Sequence, residues 1–308
     1  QGLVAIGWRV REHPVYGDWP GPTGQDRDAL ARVLAGLPTG ATVLLDGLVA
    51  SAVPEVLWPH AHRLRLAIIV HMPLFNQAEG TALAAARAVI ATSAWTRQRL
   101  LGDYRLDERR VYLAAPGVDP APLVPGSPAG TNLLCVAAVI PGKGHDVLAQ
   151  ALSAVADLPW NCVCAGSVDR DPMFTGQVRR RIEQGGVARR LRLVGPYPAG
   201  QLDDAYASAD LLVLPSRAET YGMVVTEALA RGVPVLASAV GGLPEAVGRT
   251  SDGRLPGLLV PPENPDALAN TLRRWLSEPA LRSRLRHAAR LRRQALPGHL
   301  QAQVVDLV

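Results

Sequence analysis

Lysine and cysteine are both scarce in this sequence. The three cysteines among its 308 residues, Cys135, Cys162 and Cys164, fall in apolar stretches that predict buried strands. They are too few for a disulfide framework, and no neighbour completes a zinc set, so we expect small core residues in a reducing compartment. The sequence also lacks a run of 18 apolar residues and a signal peptide. These absences predict a cytoplasmic protein with no membrane-spanning helix.

Positive charge is carried almost wholly by arginine. Lys143 is the single lysine among 32 lysine and arginine residues, and the formal net charge is +5. The arginines concentrate in residues 179–181, 189–192 and 273–293. Because no nucleic-acid motif or aromatic stacking platform accompanies them, we expect solvated helix faces and no nucleic-acid partner. The alternative is peripheral contact with anionic lipid headgroups at the inner face of a membrane.

Strand and helix patterns alternate along the chain, which predicts an α/β fold with parallel sheets and helices on both faces. The length predicts two domains, and the densest proline and glycine region, residues 116–130, predicts the linker between them. Strands are predicted near residues 42–45, 66–70, 88–91, 110–113, 133–139, 162–165, 191–194, 211–214, 235–237 and 258–260. Residues 8–13 are also predicted to form a strand, following the end of a helix.

The segment from Glu219 to Glu227 is the most informative in the chain. It links an apolar strand to a helix predicted to begin near Met223. A helix N-terminus has unpaired N–H groups and a partial positive charge, so the amides of residues 221–223 can hold an anion such as a phosphate. Carboxylates on either side of a diphosphate would accept hydrogen bonds from hydroxyls, which points to a nucleotide sugar. The alternative is that Glu219 pairs with Arg217 and Glu227 lies on a solvated face.

Two further side chains follow predicted strands directly. Lys143 lies in the glycine-flanked turn at residues 140–144, where a cation can meet a phosphate, although a solvated turn lysine is the alternative. His71 follows the strand at residues 66–70, and its alternative role is a hydrogen bond to a nearby carbonyl. Ligands of parallel sheets bind at the carboxyl ends of the strands. Gly195 and Glu219 follow strand ends in the same way, so with Lys143 they converge on one edge of the sheet of the second half, whereas His71 lies at a strand end of the first half.

The stretch from Leu211 to Val247 resembles the donor half of retaining GT-B glycosyltransferases of family 4, the glycosyl transferases group 1. The matching elements are Pro215-Ser216, Glu219 to Glu227, Ala228-Leu229-Ala230, Gly232-Val233-Pro234-Val235 and Gly241-Gly242-Leu243-Pro244-Glu245. The resemblance implies two Rossmann-like, doubly wound domains that face each other across a cleft. We therefore expect an acceptor-side domain at residues 1–122, a nucleotide-sugar-binding domain at residues 123–296, and a helix at residues 297–308 that crosses back to the first domain.

The same resemblance implies roles for individual residues. Lys143 and the helix amides would hold the donor diphosphate, Glu219 would bind hydroxyls of the donor sugar, and Glu227 would accept from the ribose. His71 would contact the sugar or the acceptor, so the expected catalytic residues are His71, Lys143 and Glu219. The expected donor-binding residues are Lys143, Gly195, Tyr197, Glu219, Thr220, Tyr221, Gly222, Met223 and Glu227, with Gly195 and Tyr197 near the base.

Two features depart from the family pattern. The family usually has an arginine five residues before the lysine, and this sequence has Ala138 there. Arg217 or a residue of the first half would have to compensate, or the donor binds more weakly. The first strand and its glycine-rich turn are also expected to be missing. No metal site is expected, and Asp169-Arg170-Asp171 is interpreted as the turn before Pro172.

The resemblance therefore implies a metal-independent hexosyltransferase that needs no cofactor. It would move a sugar from a nucleoside diphosphate sugar, with a UDP-sugar favoured over a GDP-sugar, to an acceptor with retention at the anomeric carbon. The acceptor is left open as a small molecule, a glycan or a lipid-linked compound. The alternatives are a GT-B epimerase or phosphorylase acting on nucleotide sugars, and a binding protein without catalytic activity.

Overall fold

The computed structural model describes Val4, residues 7–296 and Gly298. The chain divides into two compact units between Gly117 and Val118, inside the predicted linker. The predicted crossing helix at residues 297–308 lies outside the described residues except for Gly298. Among the helices that are described, none combines the length and apolar character that a membrane crossing requires.

The described residues of the first unit form four strands, all close to their predicted positions. They are β1 (Thr42–Asp46), β2 (Arg65–Val70), β3 (Ala88–Ala91) and β4 (Val111–Leu113). Its helices are α1 (Gly24–Gly36), α2 (Gly47–Ala52), α3 (Pro54–Leu57), α4 (Gln77–Ala85) and α5 (Ala94–Tyr104), with 3-10 turns at Trp58–His60 and Glu108–Arg110. The strands form one parallel sheet in the order β1-β2-β3-β4. The predicted strand at residues 8–13 is wrong, since these residues form neither helix nor strand.

The second unit contains the six strands predicted for it. They are β5 (Asn132–Val136), β6 (Asn161–Ala165), β7 (Leu191–Gly195), β8 (Leu211–Leu214), β9 (Val235–Ser238) and β10 (Gly257–Val260). Its helices are α6 (His145–Ser153), α7 (Pro172–Gln184), α8 (Ala199–Ser208), α9 (Met223–Ala230), α10 (Leu243–Val247), α11 (Pro265–Ser277) and α12 (Pro279–Gln294), with a 3-10 turn at Pro141–Lys143. Strand β5 ends three residues before the predicted limit, because Ile140 bonds back to Ala138 in a tight turn.

The six strands form one parallel sheet in the order β10-β9-β8-β5-β6-β7. The chain winds outward from β5 through β6 to β7, then returns to the other side of β5 and winds outward again from β8 to β10. The reversal of direction falls between β5 and β8, which are hydrogen-bonded neighbours. In doubly wound sheets a ligand binds in the crevice outside the carboxyl ends of the strands at this point of reversal.

The core of the second unit lies between this sheet and the helices that include α6 and α11. Trp160 and Trp275 are among its largest buried side chains, and each indole N–H donates to a backbone carbonyl. The three cysteines are free and fully buried in the same core. This confirms the prediction that they are small core residues.

The loop that opens the second unit is fastened by Asp210, a completely buried carboxylate just before β8. It accepts hydrogen bonds from the backbone and side chain of Ser127 at 2.5 and 2.7 Å and from the amide of Asn132 at 3.0 Å. Arg286 of α12 donates to it at 2.8 Å. A buried carboxylate needs such partners because its unpaired charge would be costly in the core.

Candidate functional site

The turn after β5 and the loop after β8 meet at the point where the sheet reverses direction. Gly144, which closes the turn, has φ +67, and a side-chain carbon there would collide with the carbonyl of Pro215. The amide of Arg217 also donates to the carbonyl of Gly142 at 2.8 Å. The glycine is therefore required both by the left-handed backbone and by the close approach of the loop.

Lys143 and Glu219 lie on these two segments and form an ion pair. Lys143 Nζ lies 2.6 Å from Glu219 Oε2, and the side chains are 26% and 14% exposed. The structure thus brings together two residues that the sequence places 76 positions apart. Of the alternatives, the pairing of Glu219 with Arg217 is not the one observed, and Lys143 is not a solvated turn lysine.

The loop that carries Glu219 packs, backbone against backbone, on the Gly241-Gly242 turn. The amide of Gly242 donates to the carbonyl of Glu219 at 3.0 Å. A side-chain carbon on Gly241 would collide with the Glu219 carbonyl, and one on Gly242 would collide with that of Thr220. These two glycines allow a backbone-to-backbone contact that fixes where the loop lies.

Helix α9 begins as predicted at Met223, after Gly222 with φ +98. Gly222 is the N-cap residue and, being glycine, offers no side-chain cap to this helix end. Met223 is partly exposed, whereas Tyr221 is buried. The amino end of α9 therefore carries the partial positive charge of a helix N-terminus, with the side chain of Leu243 packed against Gly222.

Glu227, in the second turn of α9, is half-buried and bound by a tyrosine. The hydroxyl of Tyr206, from α8, donates to Glu227 Oε2 at 2.8 Å. Burial, together with the charge of Glu227, raises the pKa of Tyr206 well above its ordinary value. Tyr206 therefore stays protonated and donates to the carboxylate. Glu227 is not a residue of a solvated face.

Gly195 is the last residue of β7, the edge strand on the other side of β6, and Tyr197 follows this strand. Gly195 has φ +78, and its carbonyl accepts from the amide of Gly166 at 2.9 Å. Tyr197 lines a cavity of about 560 Å³ that reaches Asn132 and Asn161, the first residues of β5 and β6. Neither Lys143 nor Glu219 lines this cavity, so Tyr197 lies in different surroundings from the Lys143–Glu219 pair.

His71 belongs to the first unit, where it follows β2 as predicted. Its Nε2 lies 3.9 Å from Oδ2 of Asp46, the last residue of β1, and both side chains are largely exposed. Glu79 of α4 fixes the loop after His71: it is buried and accepts hydrogen bonds from the amides of Leu74 and Phe75, both at 2.9 Å. Sequence reasoning missed Asp46 and Glu79, although Asp46 ends an apolar strand and could have been found by that signal.

Arg217, which the sequence offered as a substitute for the arginine missing at position 138, is engaged with two protein carboxylates. Its guanidinium forms two hydrogen bonds with the carboxylate of Asp146, at 2.9 and 2.8 Å. It also donates to Glu263 at 3.0 Å. Its charge is therefore already balanced by protein carboxylates.

One group of possible metal ligands occurs in the described part of the chain. Ligand atoms of Cys135, His145 and Cys164 lie within 4.8 Å of one another in the core. Hydrogen bonding to Cys164 and burial raise the pKa of the Cys135 thiol well above its ordinary value. Cys135 Sγ lies 3.8 Å from His145 Nε2, and all three side chains are buried. Elsewhere, Asp171 of the Asp-Arg-Asp motif caps α7 by accepting from the amide of Phe174 at 2.9 Å.

Comparison with known proteins gives consistent results. Residues 128–292 match the family described as Glycosyl transferases group 1. The chain is 35% identical over 207 residues to a D-inositol 3-phosphate glycosyltransferase of Jonesia denitrificans, covering 61% of this chain and 48% of that protein. It is 34% identical over 232 residues to D-inositol 3-phosphate glycosyltransferase 1 of Catenulispora acidiphila, covering 68% and 54%. The chain thus spans about half the length of these curated relatives.

Solved structures share the fold. Sucrose-phosphate synthase from Thermosynechococcus elongatus superposes with a TM-score of 0.75 at 22% identity, covering 96% of this chain and 87% of that one. The Anabaena HepE protein in complex with UDP and glucose gives a TM-score of 0.71 at 18% identity, covering 89% and 78%. At these identities the likeness shows the fold alone, and it confirms the predicted GT-B class with Rossmann-like α/β units.

Proposed function

Because the chain belongs to the glycosyl transferases group 1, we propose that it moves a sugar from a nucleoside diphosphate sugar to an acceptor, with retention at the anomeric carbon. The observation that supports this most strongly is the Lys143–Glu219 pair, which lies beside the reversal between β5 and β8. The second unit is proposed to bind the donor, and the first unit to provide the acceptor side.

The diphosphate is proposed to bind between Lys143 and the amino end of α9. A phosphoryl oxygen would take the place of Glu219 as the partner of the lysine cation, while the amides of residues 221–223 would donate to a second oxygen. The leaving group of the transfer is this diphosphate, whose charge grows as the glycosidic bond breaks. Fixed positive potential at that position stabilises the transition state more than the ground state.

Glu219, once released from Lys143, is proposed to accept hydrogen bonds from hydroxyls of the donor sugar. Glu227 is proposed to accept from the ribose, with Tyr206 holding one carboxylate oxygen and so fixing the orientation of the other. The backbone of Gly195 and Tyr197 is proposed to meet the base. His71 is proposed to contact the sugar or the acceptor, as the family resemblance implies.

We propose that UDP is the preferred nucleotide and that no metal ion is needed, since a lysine and helix amides supply positive potential for the diphosphate. A protein of similar fold has been solved with UDP and glucose, which supports testing UDP first. D-inositol 3-phosphate, which the names of the relatives contain, is the first acceptor to assay.

Isothermal titration with UDP-sugars and GDP-sugars, followed by analysis of the product anomer, tests the proposal. We expect a UDP-sugar to bind, EDTA to leave transfer unchanged, and the product to be the α-anomer. Lys143→Ala should weaken donor binding at least tenfold, because a hydrogen bond to a charged group contributes roughly 1.5–3 kcal/mol. Arg179→Ala, which also removes one positive charge but from an exposed position on α7, is the matched control. Binding of neither nucleotide class would refute the proposal.

A binding protein without transfer activity is the second candidate, and Ala138 is the observation that favours it. The family pattern pairs an arginine with the lysine, and this sequence lacks that arginine. A site with Lys143 alone could bind the donor without promoting departure of the diphosphate from the sugar. Tight binding of a nucleotide sugar with neither transfer nor slow hydrolysis would support this candidate against the first.

A further inference from the structure

We infer that Arg217 is a positioning residue that holds the Lys143 turn against the Glu219 loop, so that the lysine stays directed at the diphosphate. The inference rests on the proposed function and names a residue to which the family pattern assigns no role. Arg217 acts through Lys143 and Glu219 and does not itself touch the donor.

The guanidinium of Arg217 connects the loop after β8 to the first turn of α6. It makes a bidentate contact with Asp146, at 2.9 Å from Nη1 to Oδ1 and 2.8 Å from Nη2 to Oδ2. Nη1 also donates to the carbonyl of Pro141 at 2.7 Å. Arg217 thus contacts both ends of the short segment that contains Lys143, and a planar fork with several donors fixes that geometry better than a point charge does.

Backbone contacts make the same connection. The amides of Arg217 and Ala218 both donate to the carbonyl of Gly142, at 2.8 and 3.3 Å. Gly144 lies against the carbonyl of Pro215 with no space for a side chain. The side-chain contacts and the backbone contacts therefore determine one relative position of the turn and the loop.

The burial of these groups separates an inner contact from an outer one. The side chains of Arg217 and Asp146 are 25% and 16% exposed, whereas Glu263 is 66% exposed. Although burial opposes it, hydrogen bonding from Arg217 lowers the pKa of Asp146 below its ordinary value. The pair with Asp146 is the structural connection, and the contact with Glu263 is a solvated addition of little energy. Glu263 therefore offers a matched control.

Displacement of the turn should affect the diphosphate more than the nucleoside. In the proposed site the β-phosphate depends on Lys143, whereas the base and ribose depend on residues that Arg217 does not contact. The ratio of the dissociation constants for UMP and UDP measures the contribution of the β-phosphate. A general loss of structure would weaken both ligands alike, so this ratio separates positioning from folding.

The test uses isothermal titration of UMP and UDP with wild-type protein and four variants: Arg217→Met, Arg217→Lys, Asp146→Asn and Glu263→Gln. We expect Arg217→Met and Asp146→Asn to lower the ratio of UMP to UDP dissociation constants about tenfold, a typical coupling between neighbouring groups. Arg217→Lys keeps the charge without the fork and should give an intermediate loss. Glu263→Gln should stay within about twofold of wild type. Combining Arg217→Met with Lys143→Ala should reduce the ratio no further than Lys143→Ala alone.

Circular dichroism and the melting temperature identify the variants that fold. If Arg217→Met does not fold, Asp146→Asn provides the same test. The inference is overturned if a folded Arg217→Met or Asp146→Asn variant keeps the wild-type ratio, or if it loses UMP and UDP equally. Failure of the wild-type protein to bind UDP, GDP or their sugars would instead refute the proposed function itself. The two failures are therefore distinguishable.

Discussion

Replacement of Glu219 by glutamine should raise the affinity for UDP more than the affinity for a UDP-sugar. In the structure, Glu219 Oε2 lies 2.6 Å from Lys143 Nζ, and neither side chain is more than 26% exposed. UDP must break this pair before its diphosphate can reach the lysine. A hydrogen bond between charged groups contributes roughly 1.5 kcal/mol or more, so Glu219→Gln should tighten UDP binding about tenfold.

The donor sugar has the opposite requirement, because its hydroxyls need the carboxylate as an acceptor. Glu219→Gln should therefore gain less affinity for the UDP-sugar than for UDP, and its rate of transfer should fall about 100-fold, as expected when a group that orients the reacting ring is weakened. Isothermal titration with UDP and the UDP-sugar gives the two affinities, and a product assay gives the rate. Glu183→Gln, at an exposed position on α7, controls for the loss of one negative charge. Unchanged or weaker binding of UDP by Glu219→Gln would refute the reasoning.

Three further substitutions have defined consequences. Tyr206→Phe removes the hydrogen bond that orients Glu227. It should lower the free energy of unfolding by about 1 kcal/mol and reduce the preference for UDP over 2′-deoxy-UDP. An equal preference in the variant and the wild-type protein would contradict this. Asp210→Asn should cost about 3 kcal/mol in urea unfolding, because it breaks a buried ion pair; a loss below about 1 kcal/mol would count against that role. Gly144→Ala should lower the free energy of unfolding by about 2 kcal/mol and weaken UDP binding. Gly142→Ala is the control, because a side-chain carbon there meets nothing within 4 Å, and it should change neither quantity. Equal melting temperatures of the two variants would contradict this prediction.

The strands and the helix at the candidate site could be predicted from the sequence for a simple physical reason. Strands buried on both faces of a parallel sheet appear as short apolar runs, and β8 and β9 are examples in which every residue is buried. Gly222 and the following apolar residues likewise indicated where α9 begins. Family membership and the α/β class followed from the same segment and are confirmed.

The contacts that complete the site could not be predicted in this way. Tyr206 of α8 donates to Glu227 of α9, and Arg217, in the loop after β8, donates to Asp146 of α6. Such pairs depend on the strand order, which places β5 beside β8 although β6 and β7 lie between them in the chain. The sequence shows that a carboxylate is present but not which partner the fold brings to it.

The strand prediction for residues 8–13 was wrong for a related reason. Alternation of apolar and polar residues from Trp8 onward fits a half-buried strand, but a strand forms only where a neighbour can accept its backbone hydrogen bonds. In the described part of the first unit the sheet ends at β1 on one side and β4 on the other. Trp8 and Val10 are exposed and do not contribute to the core.

A crystal structure of the protein with bound UDP tests the central claim most directly. The account predicts a diphosphate oxygen within about 3.2 Å of Lys143 Nζ and another within the same distance of a backbone amide at the start of α9. Glu219 should then have moved away from the lysine. A diphosphate bound elsewhere on the second unit, with the Lys143–Glu219 pair still closed, would contradict the account.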